Sequence, residues 1–467
     1  MSRIRSLFGA QDMTVGRPMD VLVRFSIPLL IGNFAQQLYN TVDSVIVGRY
    51  IGDTALAAVG TAGPILNLLL VLFMGIATGA GILSAQYFGA RDRENLSRSV
   101  SNTLLLTLIS GIGMSVVGIL ATPFLIGLTN PPPEVAEGSI TYLRIIFLGF
   151  LGGGAYNIMS GVLRGVGDSA NPLIYLIAAS LLNIVLDLFF VTRLNMGIAG
   201  VAWATILAQA LSGCLCVIRV LRMKDLMDIN VRTLHPDREI LLKLCGLGIP
   251  AGVTSAIFSA SAILVQGLVN SMGTAVIATI VAVMRVDGFA MMPNFTFGTA
   301  STTYTGQNIG AGEGARLKSG LRDMMKLALL VSVLLVLGII LFGKNLISLF
   351  TRTPDVIELG RQGLLWLSFG YICFAVTQVL QGVMRGAGDT LVPMWISIIC
   401  TVILRMPLAY LLAGLTRSAE FPQGAPQSIF ASLLISWIVG MLLSILAYRI
   451  GFWRKNLPEE LLRDLKG

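Results

Sequence analysis

The stretch "GVLRGVGDSANPL", residues 161–173, occurs a second time in this chain as "GVMRGAGDTLVPM", residues 382–394. Both copies hold Arg-Gly-x-Gly-Asp followed by a proline, a pattern typical of a tight connection between two helices. The glycines permit the turn, the aspartate can cap the next helix, and proline suits the first turn of that helix. The pattern therefore predicts equivalent connections in two repeats, with each arginine facing the cytoplasm.

The repeat extends beyond this stretch, because the offset of 221 residues between Gly161 and Gly382 recurs elsewhere. It relates "AQYFGARDRENL", residues 85–96, to "GQNIGAGEGARL", residues 306–317. We read "GAGEGA" as a plain turn and not as a dinucleotide-binding fingerprint, because it has no preceding strand. The predicted organisation is an amino-terminal lobe at 1–221, a cytoplasmic linker at 222–242, a carboxy-terminal lobe at 243–450 and a cytoplasmic tail at 451–467.

Composition determines the class of protein. The 467 residues are 55% hydrophobic and 12% charged, and a mean hydropathy of +0.81 is far too high for one water-soluble core. A helix needs about 20 apolar residues to cross the roughly 30 Å hydrocarbon layer. Runs of that length predict an all-α integral membrane protein with twelve transmembrane helices, numbered as spans one to twelve: 21–47, 56–86, 97–125, 139–161, 171–192, 197–220, 243–270, 275–300, 320–343, 361–383, 391–413 and 427–450.

Six spans in each half enter the membrane in the same direction, so the halves are parallel repeats related by an axis along the membrane normal. Most of the 33 lysine and arginine residues fall in segments that are cytoplasmic if both termini lie inside. The formal net charge of +9 is then a consequence of topology and requires no nucleic-acid partner.

Several kinds of chemistry are disfavoured. The only histidine, His235, lies in the linker, which argues against a histidine-based metal site or catalytic triad. The five cysteines show no CxxC pairing and are expected to be core residues. No phosphate-binding G-x-x-x-x-G-K-[ST] loop is present. Gly-x-Gly-Asp also occurs in intramembrane aspartyl proteases, but here it lies at a connection beside an arginine. We therefore expect a transporter without a cofactor, and not an enzyme.

Three acidic residues lie well inside the spans: Asp43, Asp187 and Asp287. An ionised side chain at the bilayer centre costs roughly 2.5–3.5 kcal/mol, so each requires a reason. On span one Asn33, Gln36, Asn40 and Asp43 share a helical face, and on span five Ser180, Asn183 and Asp187 do the same. The amides could also serve as hydrogen-bonding contacts between helices.

The repeat provides a test of these alternatives. At the 221-residue offset, Asp43 corresponds to Leu264 and Asp187 to Leu408, so these carboxylates are not part of the common fold. The amino-terminal lobe is therefore expected to bind a cation. That cation is either a proton on a buried carboxylate or Na⁺ held by Asp43, Asn183 and Asp187.

Span eight places Arg285 and Asp287 near a group of flexible and aromatic side chains. Asp287 could neutralise a cationic substrate against an adaptable wall, or Arg285 and Arg405 could pair with it as a structural clasp. The residues predicted to line the substrate cleft on spans one and eight are Gln36, Asn40, Arg285, Asp287, Met291, Met292 and Phe295.

The duplicated turns, "PLLIGNFAQQLYNTVDSVIVGRYIGDTALAAVG" in span one and "GQNIGAG" in the second half resemble the multidrug and toxic compound extrusion (MATE) family over essentially the whole chain. The resemblance implies two lobes in a V, alternating access, and export of amphipathic organic cations by antiport with H⁺ or Na⁺. It implies an amino-terminal-lobe cation site made of Asp43, Tyr142, Asn157, Asn183, Asp187 and Thr205. The branch with acidic residues on spans seven and ten differs, because this chain has Gln266, Gln378 and Gln381 there.

The expected setting is the inner membrane of a prokaryote, with a monomer acting on small-molecule drugs or toxic metabolites among membrane lipids. The rival function is a flippase for lipid-linked saccharide or other lipid cargo. A flippase would require several cationic residues in the cleft to hold phosphates, and only Arg285 and Arg405 are candidates.

Overall fold

A computed structural model describes residues 9–129, 131–229, 234–418, 421–455 and 457–466. Residues 230–233 of the predicted linker and residues 456 and 467 of the predicted tail lie outside that part. Every regular element in it is helical. The α-helices are α1 Pro18–Tyr50, α2 Asp53–Gly89, α3 Arg93–Thr129, α4 Pro133–Leu148, α5 Phe150–Gly165, α6 Ala170–Leu188, α7 Gly197–Arg222, α8 Arg238–Ser271, α9 Thr274–Gly310, α10 Gly314–Ser348, α11 Pro354–Gly386, α12 Leu391–Ile398, α13 Arg405–Leu415, α14 Gln427–Ile450 and α15 Glu459–Lys466.

Eleven helical segments in the described residues are long and apolar enough to cross a membrane, and the bent pair α4–α5 forms a twelfth. Two of the eleven contain π-helical turns, at Phe189–Arg193 after α6 and at Ile399–Leu404 between α12 and α13. These segments confirm the predicted all-α membrane protein. Many helices run several residues past the predicted spans, because helical hydrogen bonding continues into the charged ends.

Span four is the main departure from the predicted spans. A continuous helix was predicted over 139–161, but α4 and α5 meet at Gly149 with a bend of 54°. Gly149 and the following Gly152–Gly154 weaken the helix there. A Cβ on Gly149 would lie 2.3 Å from the Cβ of Ile206, so the close packing of α7 against the bend also requires glycine.

The duplicated stretch packs helices together as well as turning the chain. In the first half, a Cβ on Gly161 would lie 2.4 Å from the carbonyl oxygen of Ala77, and one on Gly165 would lie 2.4 Å from that of Gly81. These glycines are four residues apart on α5, which is the spacing that lets two membrane helices approach backbone to backbone. The stretch therefore brings α5 against α2.

The second copy does the same between α11 and α9. A Cβ on Gly382 would lie 2.5 Å from the carbonyl oxygen of Gly298, and one on Gly386 would lie 2.5 Å from that of Thr302. The sequence predicted the turn but not this packing role. Both roles explain why the stretch occurs once in each half.

The turns that follow these glycines match the prediction. Gly167 and Gly388 have φ of +85° and +90°. The Asp168 carboxylate accepts a hydrogen bond from the backbone N–H of Asn171 at 3.1 Å, and the Asp389 carboxylate accepts one from Val392 at 3.0 Å. Each aspartate therefore caps the helix after the turn.

The turn of the first half contains an ion pair that was not predicted from the sequence. The fully buried Asp168 carboxylate forms an ion pair with Arg219 of α7 at 3.1 Å. The side chains of Arg164 and Arg385 in the two turns are half-buried, and the Arg385 guanidinium lies beside the Gly298 backbone within its own half. Their long side chains can cover the helix pair while they remain near the turn.

A third connection has the same backbone conformation in both halves but a different residue. Arg91 has φ of +55°, and Gly312, 221 residues later, has φ of +73°. A left-handed conformation costs an L-residue roughly 1–2 kcal/mol, and nothing lies within 4 Å of a Cβ on Gly312. We expect Gly312→Arg to lower the free energy of unfolding by about 1 kcal/mol and Arg91→Gly to raise it slightly. Thermal melting of the purified variants would measure both, and equal shifts of the same sign would contradict the strain argument.

The chain divides into two compact units. The first comprises Val23–Gly252 with the residues up to Met13, and the second comprises Thr14–Leu22 with Val253–Gly467. The first unit has an aromatic centre in which the rings of Phe73 and Phe147 lie 5.0 and 5.5 Å from that of Phe150. This packing holds α2, α4 and α5 together.

The second unit has its own aromatic centre. The Trp437 ring lies 5.7 Å from both Tyr371 and Phe374 on α11. Asn294 of α9 donates to the carbonyl oxygen of Tyr371 at 3.3 Å. The polar side chain of Asn294 thus joins α9 to the same part of α11.

The described ends of the linker are attached to the start of α3. Arg93 forms an ion pair with Asp228 at 2.8 Å, and Arg98 forms one with Asp237. The backbone N–H of Asp237 also donates to the Asn102 side chain at 2.8 Å. These contacts all lie in the first unit, so the linker is part of that unit's surface.

This attachment predicts a pH dependence. The hydrogen bond from Arg98 holds the pKa of Asp237 below its usual range, and the N–H groups of Glu239 and Ile240 act in the same direction. A depressed folded-state pKa gives stability that is present above the unfolded-state pKa and is lost as the pH falls through the folded-state value. We expect the protection of the amides in residues 234–241 against hydrogen exchange, relative to their intrinsic rates, to fall below about pH 4, and Asp237→Asn to show the reduced protection already at neutral pH. Unchanged exchange in that variant would contradict the attachment.

Candidate functional site

The polar face of α6 forms the base of the candidate site. Asn183 and Asp187 are both fully buried. With its amide oriented to satisfy both neighbours, Asn183 donates to Oδ2 of Asp187 at 2.8 Å and accepts from the backbone N–H of Thr205 at 3.2 Å. One turn of helix therefore holds the Asp187 carboxylate in a fixed position against α7.

Asp43 of α1 completes a carboxylate pair. Its side chain interacts directly with that of Asp187. Within the described residues, Oδ1 of each carboxylate is buried and has no hydrogen-bond partner. Two carboxylates in such contact cannot both remain ionised without a proton or a cation beside them. The pair therefore has the chemistry of a site for H⁺ or for a small cation bound by oxygen.

Two tyrosines lie around this pair. Tyr142 of α4, one of the residues that the resemblance assigns to the cation site, is buried beside Asp43 and Asp187. Tyr39 of α1 lies beside Thr205 and the same carboxylates, and it was not predicted from the sequence. The available signal was its position four residues before Asp43, which places it on the same helical face.

Asn157 is the predicted member that the described contacts do not join to the pair. Its amide donates to the carbonyl oxygen of Gly153 at 2.9 Å within α5. The bend at Gly149 places Asn157 and Tyr142 on different helical segments. The predicted cleft residues Gln36 and Asn40 are exposed on α1.

A second polar cluster lies in the other unit. Asp287 of α9 interacts with the Tyr371 side chain and with the Arg405 guanidinium. Arg285 is exposed and forms no ion pair with Asp287 in the described part of the chain. The clasp considered above therefore reduces to Asp287 and Arg405, whose charges interact without forming an ion pair in the described part of the chain.

The predicted adaptable wall is divided between core and surface. Met291 is buried in the hydrophobic core of the second unit, and Met292 is half-buried. Phe295 is 49% exposed, and its ring lies edge-on to Phe374 at 5.6 Å. Phe295 is thus the member of this group that offers the most apolar surface.

A helical membrane protein with repeated halves and a buried carboxylate pair has the features of a polytopic membrane transporter. The MatE family model matches residues 28–189 and again 250–411, once in each half. The chain belongs to this family, which confirms the resemblance and the expectation of a transporter.

Named relatives support the same assignment. A "Probable multidrug resistance protein YpnP" from Bacillus subtilis (strain 168) is 31% identical over 445 residues, covering 95% of this chain and 98% of that protein. A MOP superfamily transporter from Pyrococcus furiosus has a TM-score of 0.88 at 25% identity, with 96% of this chain and 99% of that chain covered. Its description reads "Reverse polarity of binding pocket suggests different function". An outward-facing multidrug resistance MATE family transporter has the same TM-score, identity and coverage.

Proposed function

We propose that this protein is a secondary active multidrug exporter that moves amphipathic, cationic organic compounds out of the cell by antiport with H⁺ or Na⁺. One observation carries the proposal: Asp43 and Asp187 meet inside the first unit with one buried, unpartnered oxygen each. The names of the relatives as multidrug resistance proteins support the cargo. The setting is the inner membrane of a prokaryote, with a monomer and cytoplasmic termini.

In the proposed cycle, H⁺ or Na⁺ enters from outside and neutralises the carboxylate pair. Loss of the repulsion between the two carboxylates repacks α1 against α6 and lowers the affinity of the protein for drug. One proton that moves through about 100 mV contributes about 2.3 kcal/mol, and one pH unit adds about 1.36 kcal/mol. For a monovalent cationic drug exchanged one for one, the voltage contribution cancels, so strong export requires two protons. Two carboxylates provide two places to bind them.

The proposed substrate contacts are Asp287, for the charge of the drug, and the exposed Phe295 ring, for its apolar part. Gln36 and Asn40 are exposed polar groups on α1 that could bind the drug through hydrogen bonds. Flat aromatic surface suits chemically varied ligands, because stacking and dispersion require little directional matching. This set favours an organic cation over a phosphate.

Transport by the purified protein in proteoliposomes tests the proposal. Uptake of ethidium into vesicles would be followed under an imposed pH gradient, an imposed Na⁺ gradient, or neither. We expect uptake to require one of the two gradients, and the effective gradient identifies the ion. A vesicle assay for a fluorescent lipid-linked saccharide would run in parallel. Saccharide translocation without ion-driven ethidium uptake would overturn the proposal in favour of the flippase.

A further inference from the structure

The end of α11 carries an arginine without a counter-charge. Gly382 of α11 lies against Gly298 of α9, and a Cβ on Gly298 would lie 3.3 Å from Nη2 of Arg385. The half-buried Arg385 side chain therefore runs back along α11 and places its guanidinium beside this helix contact. It forms no ion pair within the described residues. A partly buried cation without a partner is costly, so its position calls for a ligand that carries negative charge.

Two glutamines lie on the same face of α11 as Arg385. Gln378 and Gln381 precede it by seven and four residues, which is the spacing of one helical face. A Cβ on Gly298 would lie 3.4 Å from Oε1 of Gln378, so this amide and the guanidinium approach the same glycine. The two glutamines are only 6% and 5% exposed. Neither side-chain amide has a hydrogen-bond partner in the described part of the chain, which leaves their donors available to a ligand.

The first half shows how this face is satisfied without a ligand. At the 221-residue offset, Gln378 corresponds to Asn157 and Gln381 to Ser160. The Asn157 amide donates to the carbonyl oxygen of Gly153 at 2.9 Å, and the Ser160 hydroxyl donates to that of Asn157 at 2.9 Å. Both side chains of the first half are thus bonded to their own helix. The second half has unbonded amides at the same two positions, beside its unpaired arginine.

We propose that Arg385, Gln378 and Gln381 form an oxyanion site in the second unit, which binds the phosphate of an anionic phospholipid. The guanidinium and the amides supply N–H donors, and arginine can hold two phosphate oxygens at once. Gly298 lies two residues before the end of predicted span eight, where the hydrocarbon layer meets the headgroups. Basic pockets between membrane helices on the cytoplasmic side bind acidic headgroups, and that orientation rests on the proposed function.

The site is separate from the proposed transport machinery. It uses none of the residues assigned above to the drug or to the coupling ion, and its positive charge disfavours a cationic drug. One arginine at this depth holds a resident lipid, whereas a flippase would require several cationic residues along the cleft. Free phosphate offers the same oxygens as a headgroup, so the test includes both sources.

The test is equilibrium binding to the purified protein in detergent micelles. The probe is phosphatidylglycerol with a fluorescent label at the end of one acyl chain, and binding is followed by fluorescence anisotropy. Unlabelled phosphatidylglycerol should displace the probe, and diacylglycerol of the same chain length should not, because it has no phosphate. Displacement by excess inorganic phosphate would support an oxyanion site that is also open to the free anion. Displacement by phosphatidylglycerol alone would support a site for the lipid headgroup.

Three variants assign the binding to the proposed residues. Arg385→Gln should weaken probe binding at least about 10-fold, because it removes the charge-assisted hydrogen bonds. Gln378→Leu and Gln381→Leu should each weaken it about threefold without lowering the melting temperature, since each removes an unpartnered buried amide. Arg322→Gln is the matched control, because it removes an exposed arginine of the same unit, and it should change the affinity less than about twofold.

Folded Arg385→Gln protein that binds the probe as tightly as the parent would overturn the proposal, as would displacement by diacylglycerol. If Arg385→Gln does not fold, the two glutamine variants provide the result. Parental affinity in both, or a clear loss of melting temperature without loss of affinity, would make these amides structural and overturn the site. These measurements involve no transport, so a failed export assay leaves them interpretable.

Discussion

Ion-driven export is expected to fall at least about 100-fold when Asp187 is replaced by asparagine. The change is nearly isosteric, so Asn183 and Thr205 keep a polar neighbour, but the group that binds H⁺ or Na⁺ is lost. Removal of a buried charge should leave the melting temperature equal to that of the parent or higher. Asp43→Asn should behave in the same way, because the two carboxylates form one site. The measurement is ethidium uptake into proteoliposomes under the effective gradient.

The matched control is Asp225→Asn, which changes an exposed acidic residue of the same unit. It should export at the parental rate. Equilibrium binding of ethidium to the detergent-solubilised variants separates loss of coupling from loss of substrate binding, and both site variants should still bind. Export by Asp187→Asn at the parental rate would place the coupling group elsewhere in the chain.

The second large effect is on folding, and it concerns the repeated stretch. Gly161→Val adds a side chain where a Cβ would already lie 2.4 Å from the carbonyl oxygen of Ala77. Because that atom belongs to the backbone of α2, the helices must separate, at a cost of about 3 kcal/mol or more. Most of the protein should then aggregate or elute in the void volume during size-exclusion chromatography.

Gly113→Val is the control for Gly161→Val. It makes the same change inside a helix, with nothing within 4 Å of the added Cβ. Both variants carry the same loss of glycine, so only the helix contact differs between them. Monodisperse, folded Gly161→Val protein would show that the α2–α5 approach does not require glycine.

How well the sequence predicts a structural feature of this protein depends on whether the residues that determine the feature are close together in the chain. The apolar runs and the repeat at an offset of 221 residues can be read from unbroken stretches of sequence. They correctly predicted twelve spans and equivalent turns. The bend at Gly149 was missed although Gly149 and Gly152–Gly154 are visible in the sequence, because glycines also occur within straight membrane helices. The close approach of Ile206, which is remote in the sequence, becomes visible only in the structure. The π-helical turns were missed for a similar reason, since one extra residue per turn leaves the apolar pattern almost unchanged.

The residues of the candidate site likewise divide into those that the sequence indicated and those that only the fold brings to the site. The cost of a buried charge identified Asp43 and Asp187 directly, because few other acidic residues lie within spans. Tyr39 carries no charge, and an aromatic residue in a membrane helix does not stand out until the fold places it beside Thr205. Arg405 was seen only as a clasp or phosphate contact, because its relation to Asp287 and Tyr371 requires three helical segments to be placed together.

The attachment of the linker to α3 has a consequence for biosynthesis. A chain made from its amino terminus exposes Arg93 and Arg98 long before Asp228 and Asp237 leave the ribosome, and the linker can dock as soon as it emerges. Docking then fixes the carboxy-terminal end of α7 while the later spans are still being translated. A nascent chain stalled shortly after α8 would therefore already resist protease at residues 221–229, whereas one carrying Asp228→Asn and Asp237→Asn would be cleaved there.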